Sequence, residues 1–186
     1  TPDAALGYTI PPERLKKSVL CLDFDSRVDL NELTRHLVAA GYVRTEMVDG
    51  KGQFAVRGGI VDIYPPYGHY TDEDGQELDG SMALRIELFG DEIDRMGLFD
   101  IETQRIHTNA QQVTLPPAKE LLPDEAAMKT LQKTLSAQIN ASTSDASREL
   151  LRREAATLEA ALVGSGDVPY ADKYISLFYP EKCCLL

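Results

Sequence analysis

The sequence predicts an α+β fold: a small antiparallel β-meander sheet with a packed helix, followed by a mostly helical segment. Three observations carry that expectation. Between residues 54 and 118, short runs rich in Val, Ile, Leu and Phe alternate with Gly, Pro and Asp clusters, as hairpin-linked strands do. Just before them, Leu30, Leu33, Leu37 and Val38 recur at helical spacing. From residue 123 onward the strand signals stop and apolar residues return at intervals of three and four.

Taken in order, residues 1–17 read as a connector, with Pro11 and Pro12 ahead of Lys16 and Lys17. SVLCLDF at 18–24 reads as a short strand. Asp29 with Glu32 three residues on is a capping-box pattern, because an N-cap oxygen takes an amide that the helix leaves unpaired. The helix runs over roughly 30–40, and Gly41 supplies the left-handed stop. VDGKGQ at 48–53 is turn material. FAVRGGIVDIYPP at 54–66 reads as one strand ended by two prolines, with Gly58-Gly59 inside it as a flat face or a bulge. YGHYTDEDGQELDG at 67–80 carries five acids and three glycines and reads as a solvated loop. ALRIELF at 83–89 is the next strand, Gly90-Asp91 a two-residue hairpin turn, and EIDRMGLFD at 92–100 the strand after it. RIHTNAQQVTLPPA at 105–118 reads as one more strand, closed by Pro116 and Pro117. Two helices follow. Met128, Leu131 and Leu135 mark the first, and Leu150, Leu151, Leu158 and Leu162 the second, over 144–163. KYISLFYP at 173–180 is a strand or an apolar helix end. The organisation is thus 1–24 connector and first strand, 25–120 β-rich module, and 121–186 helical part.

Composition removes several classes of function. In 186 residues, 43% are hydrophobic and 26% charged, an ordinary globular balance. No apolar run approaches the roughly 20 residues of a membrane helix. The N-terminus lacks the basic-then-apolar layout of a signal peptide, and both ends read as cut, so a piece of a longer chain is expected. A net charge of −11 disfavours phosphate-backbone binding by this piece. Cys21, Cys183 and Cys184 are odd in number and two are adjacent, which suits reduced thiols better than a disulfide framework. No GxxxxGK[ST] loop, GxSxG elbow, HxxxH or CxxC occurs, and His36, His69 and His107 are scattered singly. Acid pairs such as Asp91/Glu92 fall on a tight turn, where solvation explains them better than acid–base chemistry. No catalytic residue, cofactor or metal is therefore expected in this piece.

What remains is a surface. Alternate side chains of a strand share a face. In ALRIELF, Leu84, Ile86 and Leu88 form a core face, while Arg85, Glu87 and Phe89 make an outward row of cation, anion and aromatic. Arg57 shares its face with Ala55 and Gly59, so its guanidinium stands above small neighbours. If the two strands pair, Arg57 and Arg85 lie side by side near Phe89 with exposed heads. Arginine and aromatics are enriched at interface hot spots. The competing reading is a plain solvated sheet face on which Glu87 pairs with one arginine.

The pattern GYVRTEMVDGKGQFAVRGGIVDIYPP, then LRIELFGDEIDRMGLFDIETQR, then LPPAKE, resembles the module shared by the excision-repair protein UvrB and the bacterial transcription-repair coupling factor (Mfd) family. The likeness covers residues 41–120 most strongly and includes the helix before them. The RGG form, the TQR sequence and the stretches SRELLRREAATLEAAL and YADKYISLFYP look more like the coupling factors than UvrB. The acidic loop 67–80 is longer than the family's usual link.

The resemblance implies a docking surface for UvrA, the ATP-dependent damage-scanning subunit of excision repair. Arg57, Arg85 and Phe89 match the family's UvrA-binding residues. It also implies that residues 121–186 belong to a flanking helicase-like domain that has lost its ATP site. RNA polymerase and DNA would be bound through other domains of a full-length, ATP- and Mg-dependent DNA translocase in the bacterial cytoplasm. The expected function is recruitment of UvrA to stalled RNA polymerase. UvrB, which would also grip damaged DNA, is the rival within the same system, and a metabolic enzyme with an unrecognised site is the rival outside it.

Overall fold

A computed structural model describes residues 8–9, 11–119, 122, 125–163, 175 and 183–184. The fold is α+β, and the chain divides into two compact units, Leu15–Lys119 and Thr1–Arg14 with Glu120–Leu186.

The described elements are β1 (Tyr8–Thr9), α1 (Pro12–Ser18), β2 (Leu20–Asp23), α2 (Leu30–Ala39), β3 (Val43–Thr45), β4 (Gln53–Arg57), β5 (Ile60–Tyr64), β6 (His69–Thr71), β7 (Ala83–Phe89), β8 (Glu92–Phe99), β9 (Ile106–Asn109), β10 (Gln112–Leu115), α3 (Glu125–Ala141), α4 (Asp145–Val163) and β11 (Cys183–Cys184). In the Leu15–Lys119 unit, six strands form a sheet in the order β3-β4-β5-β7-β8-β9, and three form a second in the order β2-β10-β6. The six-stranded sheet is antiparallel except for the parallel β3–β4 pair.

Helix α2 forms as its caps dictate. The Glu32 amide donates to Asp29 Oδ1 at 2.8 Å, and Gly41 takes a left-handed φ of 84°. Its buried Leu33 and Leu37 join one core with Phe54, Val61, Ile63, Leu84, Ile86, Met96 and Leu98 of the larger sheet and Tyr70, Val113 and Leu115 of the smaller. The larger sheet therefore turns one face inward, and its other face is left for a different use.

Four expectations change. Part of the 1–17 connector is helical: Pro12 starts α1, where a proline loses no hydrogen bond, and Glu13 follows in the first turn. The strand expected over 54–66 is a hairpin, β4 and β5, turning at Gly58-Gly59. Gly58 has φ 61°, and a Cβ on Gly59 would stand 2.6 Å from the Leu88 carbonyl oxygen. The loop 67–80 contains β6, whose Tyr70 is buried and donates to the Met82 carbonyl at 3.2 Å. The strand expected over 105–118 is two. The chain changes sheets at Ala110-Gln111, whose amides bond Met96 on one sheet and Thr71 on the other.

In the other unit, β1 pairs antiparallel with β11. Helices α3 and α4 lie against each other, with Leu131 and Leu135 buried and Leu150 exposed. Of KYISLFYP, only Ile175 is among the described residues, and Leu158 and Leu162 have no described side chains.

Candidate protein-binding surface

The outer face of the six-stranded sheet is built in rows. Strand register sets Ala55, Asp62, Arg85, Gly97 and Asn109 in one row. Arg57, Ile60, Glu87 and Arg95 make the next, toward the hairpin turns. On the opposite side of the first row, Ala83 faces Phe99, and with Val48 and Ala55 they form a small buried cluster of their own. Phe89 closes β7 at the turn end and is 80% exposed.

Arg57 and Arg85 share this face, but they are not on adjacent strands: β5 runs between β4 and β7. Both reach the same residue of that middle strand, Asp62, which is fully buried. Arg85 grips it two-pronged, Nε to Oδ1 at 2.6 Å and Nη2 to Oδ2 at 2.9 Å. Arg57 Nη2 donates to Oδ2 at 2.6 Å. The heads are unequally open. The Arg57 side chain is 41% exposed and that of Arg85 only 13%. The Arg85 guanidinium also lies over the Phe99 ring, 4.4 Å from its centroid. The expectation of two exposed heads on neighbouring strands therefore fails for Arg85. An acidic residue in the middle strand gathers both cations, and it is Asp62 rather than Glu87 that pairs with them.

The loop after β8 completes the cluster. Arg85 donates to the Gln104 carbonyl at 3.2 Å and to Gln104 Oε1 at 2.8 Å. Gln104 has φ 60°, a left-handed conformation that costs a residue with a Cβ. Asp100 organises this turn: its Oδ1 accepts the Glu102 and Thr103 amides and the Thr103 hydroxyl. The Thr103 donors hold its carboxyl below the ordinary range.

The sequence reading missed Asp62 and Gln104. Asp62 carried a signal, an acid in the otherwise apolar run IVDIY. An ionised group there must be paired, and the arginines on the same face were the available partners. Gln104 carried none, because its role depends on a backbone conformation. The Asp91/Glu92 pair is structural: the two acids bind Arg27 at 2.9 and 2.7 Å, raising its already high pKa. Among the described residues no group of three or more His, Cys, Asp or Glu could hold a metal ion. No helix among them is long and apolar enough to cross a membrane.

The outer sheet face carries a half-exposed arginine and an exposed aromatic, residue types enriched at protein interfaces. The sequence matches the UvrB interaction domain over residues 20–121, and the chain belongs to that family. Across the whole chain it is 31% identical to the transcription-repair-coupling factor of Bacillus subtilis, of which it spans 15%. It is 33% identical to the transcription-repair-coupling factor of Staphylococcus haemolyticus over 69% of its length, covering 10% of that protein. It is 34% identical to the UvrABC system protein B of Fervidobacterium nodosum over 75% of its length, covering 18% of that protein. The chain is thus similar to only a small part of each of these relatives.

Proposed function

We propose that this chain is the UvrA-docking part of a transcription-repair coupling factor, which brings UvrA to stalled RNA polymerase. The observation that carries the reading is the outer sheet face, where Arg57 and Phe89 stand open beside a buried carboxylate, on a domain whose family is defined by interaction. The likeness to the Bacillus subtilis coupling factor extends over the whole chain, and this favours a coupling factor, although the Staphylococcus haemolyticus coupling factor matches 69% of it and the Fervidobacterium nodosum UvrABC system protein B 75%. On this reading residues 121–186 belong to the flanking helicase-like domain. RNA polymerase, DNA, ATP and Mg engage other domains of the longer protein.

Calorimetry with purified UvrA tests the proposal. Arg57→Ala and Phe89→Ala should each cost about 2–4 kcal/mol of binding, the scale of an interface hot spot. Circular dichroism should report an unchanged fold, since both side chains are substantially exposed. A parent chain that does not bind, or variants that bind as the parent does, would defeat the reading.

A further inference from the structure

We infer that Asp62 is the positioning residue of this surface, and that Arg85 acts through Asp62 to orient Arg57 rather than by touching the partner. The inference rests on the docking proposal for the partner's identity, but its geometry belongs to the free chain.

The donor inventory separates the two arginines. A guanidinium has five N–H donors. Arg85 makes four hydrogen bonds, two to Asp62 and two to Gln104, and one of its faces is stacked on Phe99. It has at most one donor left to offer. Among the described residues Arg57 makes a single side-chain bond, to Asp62 Oδ2. Four donors remain for a partner on a side chain that is 41% exposed.

The charges separate them as well. One buried carboxylate faces two cations. Arg85 neutralises it by the two-pronged contact, so the surplus positive charge resides on Arg57. A free arginine would lose much rotamer freedom on docking. Tethering its Nη2 to a fixed oxygen removes part of that cost before the partner arrives. The partner chemistry that fits is a single carboxylate placed against Arg57, with apolar surface against Phe89. A pair of carboxylates, one for each arginine, does not fit.

The carboxylate is fully buried and bonded by both guanidiniums. Asp62 stands in the middle of β5, paired with Ala55 on one side and Arg85 on the other. Gln104 and its left-handed turn brace Arg85 from the far side. Removing the charge of Asp62 should therefore loosen Arg57 without opening the sheet.

Two measurements on the intact 186-residue chain test this. The first is NMR of the arginine Nε–H groups in the free chain. In the parent, the Arg85 signal should exchange with water far more slowly than that of exposed Arg35. In Asp62→Asn the Arg85 protection should collapse while backbone amides stay native. An Arg85 group that exchanges as fast as Arg35 in the folded parent overturns the inference.

The second measurement is a set of UvrA affinities. Asp62→Asn and Arg85→Lys should each weaken binding by about tenfold in the parent, and by less than about threefold when Arg57→Ala is already present. Simple destabilisation would weaken both backgrounds alike. Multiplying losses for Arg85→Lys and Arg57→Ala would show that Arg85 meets the partner directly and would overturn the inference. If the parent does not bind UvrA, the docking proposal fails, and the exchange measurement alone decides whether Asp62 positions the arginines.

Discussion

Strand β7 serves two faces of one sheet with opposite demands. Leu84 and Ile86 have no exposed surface and join a core shared with α2 and the three-stranded sheet. One residue along, Arg85 is tied into a buried polar cluster, and at the strand end Phe89 is bare. The inward face gains from burying apolar area and tolerates no polar group without a partner. The outward face buries a carboxylate, which is unfavourable unless paired, and it leaves an aromatic in water. Such features add little to folding, and on the docking proposal they serve recognition. On that proposal, a period of two lets one strand carry a folding requirement on one face and a binding requirement on the other.

Separability is the claim to break first. Leu84→Ala should cost about 2–5 kcal/mol of stability, because it leaves a cavity in a core that has no surface through which to collapse. Urea titration followed by circular dichroism would measure it. UvrA affinity per folded molecule should stay within about threefold of the parent, since the change points away from the proposed docking face. A tenfold loss of affinity with a native spectrum would mean that the two faces are coupled through the strand.

The inward face was the more legible of the two in the sequence. Hydrophobic alternation in ALRIELF assigns Leu84 and Ile86 to the core without knowledge of any neighbour, and Asp29 with Gly41 brackets α2 by local chemistry alone. The outward face depends on which strands are neighbours. Reading Gly58-Gly59 as a strand interior placed β4 beside β7 and removed β5 from the surface. With β5 went Asp62, the residue around which the arginines are arranged. A two-glycine step between apolar runs is a hairpin signal, and taking it as one would have put Asp62 on the arginine face. The burial of Tyr70 was masked by the acids around it. That residue is fixed by β10, which arrives more than 40 positions later, and local composition does not report such a partner.

The inward side also holds two phenols that distinguish it chemically. Tyr42 donates to the Pro116 carbonyl at 2.7 Å, and Tyr70 to that of Met82 at 3.2 Å. Burial pushes both above the ordinary phenol range. A raised folded value means that their contribution is fully present below about pH 10, the unfolded value, and is lost as pH rises through the folded one. In an alkaline titration followed by phenolate absorbance, Tyr42 and Tyr70 should ionise only as the fold opens. Tyr42→Phe should remove one late-titrating group and cost about 1 kcal/mol of stability, the net worth of one hydrogen bond. Early, reversible ionisation of both would mean that this side of the core admits water.

The smallest effects are expected in the acidic segment after β6. Asp72 and Asp74 are close in sequence and equal in charge, yet they differ in what they hold. Asp72 Oδ1 accepts the amides of Asp74 and Gln76 at 3.0 and 2.8 Å, so it closes the turn that returns the chain toward Tyr70. The Leu78 amide then bonds the Tyr70 carbonyl at 2.9 Å, which ties that turn to the buried strand. The Asp74 side chain is exposed and makes no hydrogen bond among the described residues. Asp72→Ala should therefore cost about 0.5–1 kcal/mol of stability through two lost backbone partners, with UvrA affinity unchanged. Asp74→Ala should stay within about 0.5 kcal/mol in both stability and binding. Urea titration and calorimetry on the same preparations would measure the four quantities together. Weaker UvrA binding by Asp74→Ala would extend the docking surface beyond the Arg57 and Phe89 end of the sheet. Stronger binding would mean that the loop's charge repels an acidic partner.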